Sequence, residues 1–197
     1  HELKTPLAVM RGNLQVMQVE KRFDAKLLKK SIREVDNTNS LIEGLIELSQ
    51  IGKLSERLSL ALAIEVRKAS SELWDLAASK KIRLNNSVSG DFILLANRQE
   101  LHILLMNIIK NAITHGTKWW EVNISLHKNI LSIEDDWIWI SLADQEKIFE
   151  RFYQSSAGRS SEWFGIGLSL VKKITDGNAW KIELESEEWK WSVFKII

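Results

Sequence analysis

The chain has 197 residues, is 45% hydrophobic and 27% charged, and carries a formal net charge of +1. That is enough chain for one to two domains with a sizeable core, the composition is globular, and the near-neutral balance gives no support for nucleic acid or an anionic membrane surface as a partner. Cysteine is absent, which removes disulfides, thiolate chemistry and cysteine zinc sites and is compatible with a reducing compartment. No stretch is long and apolar enough to span a bilayer and no signal peptide is visible, but the sequence begins at His1 without a start methionine, so neither absence extends to the parent protein.

In chain order, Leu3, Leu7, Met10, Leu14 and Met17 follow the alternating four- and three-residue spacing of a coiled-coil seam. Pro6 is expected to remove a helical hydrogen bond and bend this helix near His1. Asp24 is a candidate N-cap for a second amphipathic helix marked by Leu28, Ile32, Val35, Ile42, Leu45 and Ile46. Two such helices make an antiparallel hairpin that cannot bury both stripes alone, so a dimeric four-helix bundle is expected. Residues 58–64 read as a short strand or linker and 65–79 as a helix. KIRLNNSV (81–88) and DFILLAN (91–97) read as strands separated by a Ser-Gly-Asp turn. Residues 98–116 read as a strong helix and 121–136 as a hairpin. Residues 141–154 read as a short helix, 155–164 as a polar loop, 165–177 as a helix opening on glycines, and 180–197 as a closing hairpin. The fold class expected is α+β: a helical hairpin over residues 1–56, then a two-layer α/β sandwich over 57–197.

Some residues carry chemistry. His1 lies off the seam, with Thr5 and Ala8 as small neighbours on its own face; alone, it reads as a solvated surface histidine. Asn107 and Asn111 are four residues apart on one helical face, where two amide oxygens can help hold Mg²⁺, although an isolated pair is more commonly surface polarity. Gly165 and Gly167 at a helix start offer bare N–H groups for a phosphate, a weak signal by themselves.

The order of the motifs HELKTPL, LLMNIIKNAITHG, IEDD, IFERFYQ and GIGLSLVKKI resembles the bacterial two-component sensor histidine kinases over nearly the whole chain. The resemblance implies a dimerisation and phosphotransfer hairpin followed by an ATP-binding domain. It implies His1 as phosphoacceptor, Glu2 as the carboxylate that takes its proton, and Thr5 as the residue that positions water for dephosphorylating the response regulator. Asn107 and Asn111 are implied for Mg²⁺-ATP and Asp135 for the adenine amino group. Phe149 and Phe152 match the aromatic segment before the ATP lid; Gly165, Gly167 and Leu168 fall beside the nucleotide. It further implies ATP and Mg²⁺ as cofactors, and a homodimer that passes phosphate to a response-regulator receiver domain. The implied location is cytoplasmic, the parent protein being anchored in the membrane through an upstream sensor region.

The sequence departs from the family at Thr114, where Lys or Arg is common, at His115, where an aromatic residue is common, and at Gln154, where Arg is common. The larger departure is tryptophan. Of nine, Trp119, Trp120, Trp137, Trp139, Trp163, Trp180, Trp189 and Trp191 stand where the family carries glycine, and Trp74 is at a variable position. A degenerate pseudokinase, deliberate substitution, and a glycine codon (UGA is the candidate) read as tryptophan are the alternatives. One recurring replacement beside intact polar motifs favours the codon reading. Restoring glycine brings its count from 9 to 17, near the roughly 14 of ordinary usage. The rival functional class is a catalytically dead dimerisation or binding module. Tryptophan at φ > 0 is strained, and indoles at 137, 139 and 163 are expected to crowd a nucleotide pocket.

Overall fold

The computed structural model describes residues 3–53, 56–115, 120–135, 140–154, 165–187 and 191–196. Helix α1 (Lys4–Glu20) stops at Lys21, whose left-handed backbone (φ 50°) returns its N–H to the last turn. Helix α2 (Ala25–Gln50) starts on Asp24, as expected: its carboxylate accepts from the Lys26 N–H (2.7 Å) and the Leu27 N–H (3.1 Å). The two helices pack as a hairpin, with the Asn13 amide donating to Ser31 Oγ at 3.3 Å; Pro6, Ser31 and Thr38 are buried, and Leu41 and Leu48 of α2 are buried in the core that continues into the rest of the chain. Leu7 and Leu14 of the expected seam are 53% and 52% exposed, and Ile32, Val35, Ile42 and Ile46 continue an uncovered apolar stripe on α2. Pro6 is the third residue of the described helix and is buried, and the carbonyl it would forgo as an acceptor partner belongs to residue 2, outside the described residues.

Beyond the hairpin, β1 (Leu58–Ala61) pairs antiparallel with β3 (Ile93–Ala96) in a two-stranded sheet. A five-stranded sheet runs β2 (Arg83–Asn86), β4 (Glu121–His127), β5 (Ile130–Asp135), β7 (Trp191–Ile196), β6 (Ile182–Glu187), with only β2–β4 parallel. The segments expected as neighbouring strands at 81–88 and 91–97 therefore separate into different sheets. The helix expected at 65–79 is two, α3 (Leu62–Glu72) and α4 (Trp74–Lys80), broken at Leu73. The helix expected at 141–154 is a single turn, α6 (Leu142–Gln145), followed by a 3₁₀ turn (Lys147–Phe149) that ends at Glu150 in extended backbone (φ −72°, ψ 148°).

One sheet face is covered by α3, α5 (Arg98–His115) and α7 (Gly167–Gly177), lying side by side. Strand alternation places Val122, Ile124, Leu131, Ile133 and Phe194 on that face, all 4% exposed or less. Leu104, Leu105, Ile108, Ile109, Ala112 and Ile113 of α5 meet them, all fully buried. A helix apolar on nearly every side is a core helix. The α+β hairpin-plus-sandwich architecture is the expected one.

Candidate nucleotide site

Helix α5 and the start of α7 converge. The Asn107 amide donates to the Ile103 carbonyl at 2.8 Å, which leaves its Oδ1 turned toward α7. A Cβ at Gly167 would lie 2.7 Å from that oxygen, so only glycine lets the first turn of α7 approach Asn107 this closely. Ile166 provides no capping side chain, so the first N–H groups of α7 stay available to an outside acceptor.

Gly165 is the second fixed point. Its φ is +65°, and an added Cβ would overlap the Tyr153 carbonyl oxygen. The Phe152 N–H donates to the Gly165 carbonyl at 3.0 Å, and Phe152 itself sits at φ 66°. The residues on either side of 155–164 are thereby pinned together. Tyr153 Oη donates to Asp144 Oδ1, and Phe149 packs against the core.

Asp135 ends β5 on the helix-covered face and is 1% exposed. It is directly across from Val122 on β4 and from Ser192 on β7. Ser192 Oγ is 2.9 Å from Ser186 Oγ, which also accepts from the Ile140 N–H at 2.9 Å. A buried carboxylate beside an apolar layer suits recognition of a ligand N–H donor. Asn111 is half-buried one turn beyond Asn107. Leu168 is half-buried in the first turn of α7, and Thr5 is exposed in the first turn of α1. His1 and Glu2 lie outside the described residues, as do Trp119, Trp137, Trp139, Trp163 and Trp189.

Among the described residues, Trp120, Trp180 and Trp191 have no positive φ. At the second of these positions the left-handed conformation falls on Ala179 (φ 57°), and the Trp180 N–H donates to the Thr175 carbonyl at 2.9 Å. The strain expected of tryptophan in the left-handed region is therefore not met at these three.

A cleft of about 270 Å³ joins Asn107 and Gly167 to the hairpin. Ser40, Glu43, Gly44 and Glu47 of α2 form its other wall, and His102 and Lys110 extend the α5 side. Asn111, Asp135, Gly165 and Leu168 are not part of its lining. A Cβ on Gly44 would come within 3.1 Å of Ile166 Cγ2, so α2 rests on the residue that starts α7. Lys173 Nζ donates to the Leu48 carbonyl at 2.6 Å, and the Gly52 N–H to Glu100 Oε1 at 2.8 Å. Burial, then the neighbouring Glu43, raises the Glu47 carboxyl above its ordinary range; burial lowers the Lys110 ammonium, opposed by Glu43 and Glu47.

Sequence reasoning missed Lys110 and this hairpin wall. The available signals were Lys110's place between the two asparagines and Gly44, a glycine in a helix interior, which marks close approach. At the end of α5, Thr114 Oγ1 is buried without a hydrogen-bond partner. Burial, aided by Lys80, pushes His115 down to about 4.

The residues fit a Mg²⁺-nucleotide: neutral oxygen donors on one face of α5, a glycine-cleared helix start, and a buried carboxylate on the sheet. Among the described residues no group of three or more His, Asp or Glu is placed to hold a metal by itself, and no helix is long and apolar enough to cross a membrane.

Residues 96–197 match the family described as histidine kinase-, DNA gyrase B- and HSP90-like ATPase, and residues 1–54 match the His Kinase A (phospho-acceptor) domain. The signal transduction histidine-protein kinase ArlS of Staphylococcus epidermidis is 31% identical over 209 residues, covering 100% of this chain and 46% of that protein. Sensor protein DltS of Streptococcus agalactiae is 28% identical over 196 residues, covering 95% of this chain and 49% of its own. The chain thus spans about half the length of the curated relatives it matches. The Acinetobacter baumannii histidine kinase AdeS shares the fold with a TM-score of 0.78 at 23% identity, over 100% of this chain and 95% of its own. Histidine kinase ThkA, solved in complex with the response regulator protein TrrA, gives 0.79 at 22% identity, over 100% of this chain and 58% of its own.

Proposed function

This chain belongs to the sensor histidine kinase family, and from that premise we propose that it is the catalytic core of a protein-histidine kinase that phosphorylates its own His1 and passes the phosphoryl group to a response-regulator aspartate. The observation that carries the reading is the convergence of Asn107 with the glycine-cleared start of α7. Mg²⁺-ATP supplies the γ-phosphoryl group when bound. Asn107 and Asn111 hold the metal through their amide oxygens, Asp135 accepts a hydrogen bond from the adenine amino group, and Gly165, Gly167 and Leu168 shape the wall beside the nucleotide. The His1 imidazole attacks the γ-phosphorus as the bond to the leaving ADP oxygen breaks, and Glu2 takes the imidazole proton. Thr5, exposed in the first described turn of α1, positions water for removing phosphate from the regulator. The stripe through Leu7, Leu14, Ile32, Val35, Ile42 and Ile46 supports a homodimer, since so much uncovered apolar surface on two adjacent helices calls for a partner helix pair. A response-regulator receiver domain as partner is proposed by analogy with the ThkA complex, and a membrane anchor through upstream sequence with the family.

Tryptophan at eight family-glycine positions favours a second reading, a dead nucleotide pocket on an intact dimerisation module. We infer instead that these positions are glycine in the protein its source makes, through a UGA codon read there as glycine. Gly165 and Gly167 are retained where a Cβ would collide with Tyr153 or Asn107, and the polar motif residues are intact. The test is the gene together with calorimetry. UGA at the eight positions, and tighter binding of a nonhydrolysable ATP analogue by the eight-glycine form than by the tryptophan form, are expected. UGG at those positions leaves the dead module standing. A monomer at micromolar concentration in light scattering would remove the dimer.

A further inference from the structure

Lys110 occupies an unusual place. It lies between Asn107 and Asn111 on α5, one turn before Thr114 and on the same face, where the family's common basic residue is missing. It lines the cleft that also holds Asn107 and the start of α7, and the opposite wall of that cleft carries two carboxylates, Glu43 and Glu47 of α2. Those two are one helical turn apart, so they present a paired negative charge toward a single cation. Around them the hairpin is seated on the sandwich by Gly44 against Ile166, Lys173 on the Leu48 carbonyl, and Gly52 on Glu100.

Resting on the nucleotide-binding reading above, we propose that Lys110 is shared between two partners: Glu43 and Glu47 when the hairpin is docked as here, and the phosphates of the nucleotide when it binds. Hairpin docking and nucleotide phosphate then compete for one cation. The cleft sets Lys110 of α5 opposite Glu43 and Glu47 of α2, so an emptied Lys110 position would leave two adjacent carboxylates on that wall without this cation. A phosphate chain entering beside Gly167 carries the same sign of charge at higher density, so it displaces the carboxylates rather than joining them. His102 is the other basic group in the lining; it is 3.3 Å from Glu72 of α3 and also acts on Glu47, so Lys110 is the lining cation that Glu43 and Glu47 both face.

The test has two readouts on residues 1–197, in the tryptophan form and the eight-glycine form. In calorimetry with a nonhydrolysable ATP analogue, Glu43→Gln with Glu47→Gln should tighten binding about fivefold to tenfold, and Lys110→Gln should weaken it by a similar factor. Combined with Lys110→Gln, the glutamate changes should have no further effect, and none of the variants should alter binding of adenosine, which lacks phosphate. The chain has no native cysteine, so spin labels at Ser49→Cys on α2 and Lys172→Cys on α7 report docking directly. The analogue should lengthen that distance in the parent and leave it unchanged in the Lys110→Gln protein. Unchanged affinity and distance across the variants, with nucleotide still bound, overturn this inference alone. No binding of either ligand by either form overturns the nucleotide reading and this inference with it.

Discussion

The hairpin and the sandwich solve the burial problem in opposite ways. The sandwich closes its core within one chain: α5 contributes nine buried residues, and the apolar side chains of the sheet face beneath it are buried. The hairpin buries one residue of α1 and four of α2, and leaves Val19 81% and Phe23 72% exposed at its turn end. Both regions contain regular helices, so helix formation is not the difference. The sandwich has a third element for every pair, whereas two helices alone have only each other. The ATP-binding half is therefore expected to fold without help, and the hairpin to depend on a second copy and on its seat against α7.

That division can be broken or sharpened by substitution. The largest effect is expected on activity in the hairpin: His1→Gln in the eight-glycine form should abolish label transfer from radiolabelled ATP while nucleotide binding by the sandwich is retained. Persistent label on the variant would move the acceptor elsewhere. Next, Gly165→Ala should cost the sandwich about 3–4 kcal/mol in urea unfolding, because it combines φ +65° with a collision against Tyr153. The same change at Gly12, inside α1 with nothing within 4 Å, should instead stabilise the hairpin by about 0.5–1 kcal/mol. Equal costs at the two sites would contradict the contrast.

His115 offers a pH test of the sandwich. Its folded value of about 4 lies below its ordinary 6.5, so between those values the unfolded chain binds more protons. Stability is fully present above pH 6.5 and is lost as pH falls toward 4, by about 2–3 kcal/mol at most. The urea midpoint followed across that window should show the slope, and His115→Phe should flatten it. Asp24 gives the smallest effect and confines it to the hairpin. Its carboxyl is held below the usual range by the Leu27 and Lys26 N–H groups, so its cap is complete above the ordinary aspartate range and is lost in acid. Asp24→Ala should speed hydrogen exchange at Lys26 and Leu27 while leaving α5 protected; faster exchange in α5 would mean that the two regions are coupled more tightly than their contacts imply.

Much of this was legible in one dimension. The Asp24 cap, the hairpin, the α5 core helix, the β4–β5 hairpin and the glycine-led α7 are local: each follows from periodicity, a cap or a turn within a few residues. The motifs that resemble sensor histidine kinases are also local, and the matches to both family models confirm the family they name. What sequence could not give is whatever depends on partners far along the chain. The strands at 83–86 and 93–96 look like neighbours because a turn separates them, yet the first pairs with β4 and the second with β1, partners more than 30 residues away along the chain. Leu73 breaks an apparently continuous helix: its backbone leaves the helical region (φ −95°, ψ 1°) while its side chain is buried in the core.

The candidate site divides the same way. Sequence spacing alone put Asn107 and Asn111 on one face and marked Gly165 and Gly167 as permissive backbone. Only the fold decided that Gly167 meets Asn107, that Asp135 is buried among the strands, and that Glu43 and Glu47 of a hairpin more than 60 residues away face Lys110. Residue chemistry and helical period are properties of neighbours in sequence. A shared cleft is a property of packing, where close approach, charge and burial are set by elements that meet only when the chain has folded.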